Sequence, residues 1–397
     1  MEVNMRKTAK KCAVLVMVAV LLFALVAVCL VGCNKDKSNF TDMIGRKLTI
    51  NPGTYQRVAC IGAGALRMYS YIGDLSLLVA VEDIDNTTRE GRPVMFDQAA
   101  RPYQLANKEL FDSIEQSCGI GGPQHQTVAD YDEILLECDA DIIISELEDV
   151  AAADAIQQKV GVPVVTVKYG ANGVFDQNVK DSFTMLGKIF GKEQRAAELN
   201  AFIDAQTKLI SDRTANVAEA DKKSVYICGL GNWGTTNHLM TAQNYAPFNV
   251  AHIKNAVSGL VKDGIQEIEL EALEALGGSI DIMVVDSAAV KNVKPMATKL
   301  NSAHIAALEN IKAWQDGEVY LEMPYNAYYT NLEIALVNTW WLAKVAYPEL
   351  FEDIDMTDKT NEVTRAFLGK DLAAEIFACR ASFGGYRQIE NPSEFFA

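Results

Sequence analysis

The chain has 397 residues, with 52 acidic against 36 basic side chains, a formal net charge of −16 and 49 % hydrophobic content. So acidic a surface repels nucleic-acid backbones and anionic lipid head groups, which sets nucleic acid aside as a partner. The length exceeds what one ordinary core fills, so two domains are expected.

The first residues speak to compartment. Arg6, Lys7, Lys10 and Lys11 precede an apolar run from Ala13 to Val31. That run is long enough to span a bilayer. It ends, however, in Leu30-Val31-Gly32-Cys33 and the polar stretch 34–38, which resembles the bacterial lipobox. Residues 1–32 are therefore read as a signal peptide, Cys33 as the lipidation site and 33–43 as a lipidated tether. The expected location is extracytoplasmic, held to the cell membrane by lipid. Of eight cysteines, Cys60, Cys118, Cys138, Cys228 and Cys379 remain in the mature part. A scattered odd set without a CxxC pair makes a poor disulfide framework and a poor zinc site, although one disulfide stays open.

Short apolar runs then alternate with helical stretches. Strands are expected at Arg57–Ile61, Leu77–Val81, Asp141–Ile144 and Pro163–Val167, with helices at Ala65–Ile72, Tyr131–Cys138 and Ala151–Val160. Strands without polar alternation, separated by helices, point to a parallel sheet covered on both faces. From Asp176 to Val217 strand signals stop, and a helix over Lys192–Val217 follows the break at Gly191. Alternation resumes with strands at Ser224–Cys228, Ile280–Val285 and Glu318–Leu321. Helices are expected at Leu270–Leu276, Ile305–Ile311, Thr330–Ala346 and Glu362–Phe377. The fold class is α/β, with an N-terminal lobe over 44–170, a helical linker over 171–220 and a C-terminal lobe over 221–397. One phrase recurs: Glu133-Ile134-Leu135-Leu136 before Asp141-Ile142-Ile143-Ile144, and Leu270-Glu271-Ala272-Leu273 before Asp281-Ile282-Met283-Val284. Its matching place in both halves suggests equivalent folds.

These features in this order resemble the class III solute-binding proteins of ABC importers, which serve iron–siderophore, haem and corrinoid uptake. The carriers are Asp42–Leu48 with the strand after it, the repeated acid–helix–strand phrase, the single long helix, and Gly317-Glu318-Val319-Tyr320 followed by Pro324-Tyr325-Asn326. The resemblance implies two Rossmann-like lobes bridged by a rigid helix, with ligand in the cleft and little hinge closure. It also implies one acidic residue on each lobe that docks onto the permease, here Glu133 and Glu271, with Glu269 and Glu274 as alternatives to the latter. The implied partners are a permease, its ATPase and a small metal chelate, with the binding protein itself a monomer.

Ligands of parallel sheets sit beyond the strand C-termini. The candidates there are Gly64 and Arg67 after the first strand and Arg92 in a long irregular segment. In the second lobe Trp233 and His238 follow a strand, as do Tyr325, Asn326, Tyr328 and Tyr329, with Thr330 as a helix cap. Arg387 near the end is a further anion partner. Each has a plain alternative as turn, loop or core, and Trp340 and Trp341 are expected in the core. Clustered rings and amides suit a large, partly apolar ligand. His125, His238, His252 and His304 are the only histidines, too dispersed for a three-His site. A chelate needs fewer protein ligands, so His238 is expected at most as one axial ligand, with no permanent cofactor. An iron complex leads on family frequency, with haem, a corrinoid or a nickel complex as alternatives. A non-transport surface sensor and a secreted hydrolase are the readings from other classes. The GxSxG, Walker and HExxH patterns are missing from the sequence, which disfavours the hydrolase.

Overall fold

The computed structural model describes residues 38–94, 96–97, 99–122, 131, 133–231, 237–290 and 302–396. The signal segment, Cys33 and Trp233 lie outside the described residues. Ser38–Thr41 (β1) pairs antiparallel with Lys47–Ile50 (β2), so part of the stretch read as tether is a strand. The turn between them is closed by the Asp42 carboxylate, which accepts the amides of Ile44 and Arg46.

The first sheet comprises Val58–Ile61 (β3), Leu78–Ala80 (β4), Ile142–Ser145 (β5) and Val164–Thr166 (β6), ordered β4-β3-β5-β6 and parallel throughout. Its helices are Ala65–Ile72 (α1), Pro102–Ser113 (α2), Ile134–Glu137 (α3) and Val150–Val160 (α4). Burial on both faces explains the absence of polar alternation: Val58, Cys60, Ile142 and Ile144 enter one apolar cluster, Ala59, Ile61 and Ile143 another.

Gln177–Phe190 (α5) and Glu193–Thr214 (α6) then carry the chain to the second sheet. At 1.5 Å per residue α6 is about 33 Å long. The second sheet starts with Ser224–Cys228 (β7). Met240–Ala242 (β8) and Ile265–Glu267 (β10) form a separate antiparallel pair, on either side of Lys254–Asn255 (β9) in the chain. Ile282–Asp286 (β11), Val319–Glu322 (β12) and Arg387–Ile389 (β13) complete the order β13-β12-β11-β7-β9, in which only β13 is antiparallel. The remaining helices used below are Ala246–Val250 (α7), Leu270–Leu276 (α8), Ser302–Glu309 (α9), Leu332–Ala346 (α10), Met356–Leu368 (α11) and Ala373–Ala378 (α12). The single helix expected over Glu362–Phe377 is two, because Gly369 takes a left-handed φ of +70° and ends α11.

The repeated phrase has a structural cause. Asp141 accepts the amides of Gln56 and Arg57 at 2.8 and 3.0 Å, and Asp281 accepts that of Ser224 at 3.0 Å. Each aspartate thereby fixes the start of the strand beside its own, and β5 and β11 occupy equivalent inner positions.

The two sheets share one core. A single apolar cluster runs from Val58 and Ile144 through Phe183 and Ile203 to Val225, Val284 and Trp340. At its centre lies α10, where every residue except Trp341 and Lys344 is buried, as expected for a helix apolar on nearly all sides. Trp340 is buried and donates Nε1–H to Gln206 Oε1 on α6 at 2.9 Å, so helix packing and one satisfied polar contact coincide. The five described cysteines are free thiols, four of them buried, which closes the open question of a disulfide among them. Trp340→Ala should lower unfolding stability by about 3–5 kcal/mol through the cavity left at the shared core. Urea denaturation of the mature protein measures it.

Candidate functional site

The loop from Pro324 to Asn331 leaves the C-terminal end of β12 and enters the first lobe. Arg67 on α1 is the reason. Its guanidinium is completely buried and donates to Ala327 O at 2.6 Å, Tyr328 O at 2.9 Å and Asn331 Oδ1 at 2.9 Å. A buried cation is costly unless it is hydrogen-bonded, and here carbonyl oxygens of the other lobe bond both terminal nitrogens, while Nε is left without a partner. Asn331 in turn donates to Ala100 O and Pro324 O, both at 2.8 Å. Its side chain is thus spent on tertiary contacts, and although Asn331, not Thr330, precedes α10, it makes no side-chain cap. Thr330 instead donates to Asn326 Oδ1 at 2.9 Å.

Tyr328 follows Arg67 across the boundary. It is 1 % exposed and its hydroxyl donates to Glu82 Oε2 at 2.5 Å, while Tyr131 and the Gly62 amide donate to Oε1 at 2.7 and 2.9 Å. Tyr328 and Tyr329 both hold left-handed backbone, φ +55° and +71°, a strain of about 1–3 kcal/mol each that the surrounding contacts must offset. The result is that Tyr328 points into the first lobe while Tyr329 packs on Tyr169, ring centroids 4.4 Å apart.

A cavity of about 360 Å³ opens where these elements meet. Gly170, Ala171 and Gly173, downstream of β6, form one wall. Leu230, Tyr245, Ala246, Tyr325, Asn326 and Tyr329 form the other, closed at one end by Asn244, Gly264 and Ile265. Gly173 is required: a Cβ there would lie 2.7 Å from the Tyr325 hydroxyl. Behind the second wall the paired ends of β11 and β12 place Asp286 beside Glu322. Tyr325 N–H donates to Asp286 Oδ2 at 3.0 Å and Tyr245 Oη to Glu322 Oε1 at 2.7 Å. Burial pushes Asp286 up to about 7 against the amides of Tyr325 and Ala288, and raises Glu322 well above the carboxylate range, with the Asp286 charge adding to it.

Of the sequence candidates, Tyr325, Asn326 and Tyr329 come together on the cavity wall. The others do not. Gly64 carries φ +88° ahead of α1, but Tyr169 fills the space above it, donating to Gly64 O at 2.9 Å. Arg67 and Tyr328 are structural ties between the lobes. Arg92 is bound to Asp97, at 2.9 Å for its Nη1 contact. His238 is fully buried on the far side of β7, where Tyr226 donates to its carbonyl at 2.6 Å and its ring meets His304 edge-on at 5.4 Å. Burial lowers its pKa to about 4, so the ring is neutral. Among the described residues no group of three or more His, Cys, Asp or Glu is placed to hold a metal ion. Arg387 is exposed on the edge strand β13, its guanidinium over Phe395 at 5.6 Å, away from the cavity. Glu133 and Glu271 are exposed at the starts of α3 and α8. Sequence reasoning missed Tyr169 and Tyr245. Their signal was present: each stands within a few residues of a strand end and beside a glycine or amide.

Burial pushes Glu82 from its ordinary value near 4.5 up to about 7, more than the three donors pull it down. A carboxyl raised in the fold contributes stability that is present below its unfolded pKa and lost as pH rises through its folded one. The urea midpoint should therefore fall between pH 4.5 and 7.5, and Glu82→Gln, neutral at every pH, should flatten that slope.

A family model described as periplasmic binding protein matches residues 68–324. The molybdate-binding protein MolA of Haemophilus influenzae is 27 % identical over 198 residues, 49 % of this chain and 52 % of MolA. The match thus spans about half the length of that relative. The structure of MolA bound to molybdate superimposes with a TM-score of 0.61 at 19 % identity, covering 84 % of this chain and 98 % of MolA. A periplasmic solute binding protein from Veillonella parvula gives 0.61 at 15 % identity, covering 85 % and 95 %. Helicobacter pylori CeuE with Ni(II) bound gives 0.56 at 15 % identity, covering 86 % and 99 %. Among the described residues no helix is long and apolar enough to cross a membrane.

Proposed function

Because the chain belongs to the periplasmic binding protein family, we propose that it is the solute-binding lipoprotein of an ABC importer, anchored through Cys33, capturing a metal chelate and delivering it to the permease. The carrying observation is the cavity at the C-terminal ends of β6, β7 and β12, walled by Tyr245, Tyr325, Tyr329 and Asn326. Its volume lies within the range of small-molecule sites and exceeds what a four-oxygen anion fills. Rings and neutral amides offer a chelate flat contact and hydrogen bonds while the chelator itself satisfies the metal. An iron complex leads, with haem, a corrinoid or a nickel complex as alternatives. A second reading, capture of an oxyanion, is favoured by the likeness to MolA.

The lobe boundaries follow the sequence: residues 44–170 and 221–397, joined over 171–220. The exposed Glu133 and Glu271 are the proposed contacts for basic residues of the permease. The protein acts as a monomer.

Native mass spectrometry and fluorescence titration of protein lacking residues 1–33 test the ligand. A ferric chelate should bind, and Tyr329→Ala or Tyr325→Ala should weaken it by about tenfold or more. Binding of molybdate with indifference to ferric chelates would move the conclusion to the oxyanion reading. For docking, the double variant Glu133→Ala, Glu271→Ala should abolish uptake of the chelate by cells while leaving its affinity in solution unchanged.

A further inference from the structure

Resting on the chelate reading just given, we propose that Asp286 and Glu322 are positioning residues of the aromatic wall, and that capture is proton-linked: the pair keeps Tyr245 and Tyr325 in place while it holds at least one proton.

The first argument is register. Asp286 and Glu322 are the last residues of β11 and β12 and stand opposite each other in that parallel pair. Neighbouring strands run about 5 Å apart, and register partners point to the same face of the sheet. Both side chains are buried. Asp286 accepts the amides of Ala288 at 2.9 Å and Tyr325 at 3.0 Å, so Tyr325 is fixed through its own main chain. Glu322 accepts the Tyr245 hydroxyl at 2.7 Å through Oε1, while Oε2 is buried without a partner. The rings of Tyr245 and Tyr325 lie 5.1 Å apart and line the cavity together. Each acid thus holds one of two wall residues that pack on each other.

The second argument is what surrounds the pair. The titratable groups facing it are Cys228 from β7, Tyr245 from before α7, Tyr325 from the loop after β12, and Tyr386 from before β13. Burial raises all four above their ordinary values, so all are neutral. Among the described residues no Lys, Arg or His pairs with either carboxyl. Neighbouring carboxyls without a counter-ion in a dry interior do not both ionise until the pH is well above the carboxylate range. Asp286, with two amides on it, ionises first, at about 7, and its charge holds the proton on Glu322 beyond that. When that proton leaves, like charges face each other at the strand ends that carry the wall, and moving apart is the relief open to them. Affinity for a ligand that needs both rings in place is therefore present at lower pH and lost as pH rises.

Fluorescence titration of protein lacking residues 1–33 with one ferric trihydroxamate, at fixed ionic strength from about pH 6 to 9, tests this. Affinity should fall by about tenfold or more across the series. Glu322→Gln keeps an acceptor for Tyr245 but prevents a second charge. It should match the unmutated protein at about pH 6 and bind about tenfold tighter than it at about pH 9. The ligand and Glu82 are common to both proteins, so their own titrations cancel in that ratio. Should this variant not fold, Asp286→Asn, which also limits the pair to one charge, takes its place. Glu322→Leu, which releases Tyr245, should bind more weakly at every pH, and unchanged affinity there overturns the positioning role. A flat profile in the unmutated protein, or an equally steep one in Glu322→Gln, overturns the proton linkage and leaves chelate capture standing. Failure to bind the chelate at any pH, with binding of sodium molybdate, overturns chelate capture and this inference with it.

Discussion

One buried cation organises the molecule. Arg67 has no water to solvate it, so its position is stable only while Ala327 O, Tyr328 O and Asn331 Oδ1 stand where they do. Those acceptors belong to a loop more than 250 residues away in the chain, and holding them fixes that loop's path, including the two left-handed tyrosines. Tyr329 faces the cavity because Tyr328 is turned away from it to reach Glu82. The wall of the site is thus set by a charge that never touches the site.

Much of the fold was legible, and for a physical reason. Strands buried on both faces must be written as continuous apolar runs, so β3, β5, β7 and β11 declared themselves. The aspartates before β5 and β11 were visible as a repeat, though not their task of capping a neighbouring strand. What failed to show was decided by long-range contacts. β1 is Ser-Asn-Phe-Thr, with no pattern to separate it from a tether, and it exists because β2 pairs with it. Thr330 has the better cap chemistry by local rules, yet Asn331 sits before the helix, its amide drawn into the Arg67 network.

The site was half legible. Composition located the aromatic loop at Tyr325–Tyr329, but not which rings face which way, because neighbouring residues with similar side chains diverge at a single strained backbone turn. Arg67 and His238 looked like ligands because polar residues after strand ends usually meet solvent. Both are buried here, one bonded to carbonyls through its terminal nitrogens and one neutral.

The apolar cluster shared by both sheets bears on how occupancy is communicated. Swinging the lobes apart would tear a continuous seam from β3 to α10 and strand the Arg67 charge, which opposes any large change of outline on filling. A partner reading that outline from afar learns little. The message that cargo is aboard has to be written at the rim of the cavity itself, in the few side chains that shift when it fills, and read there by contact.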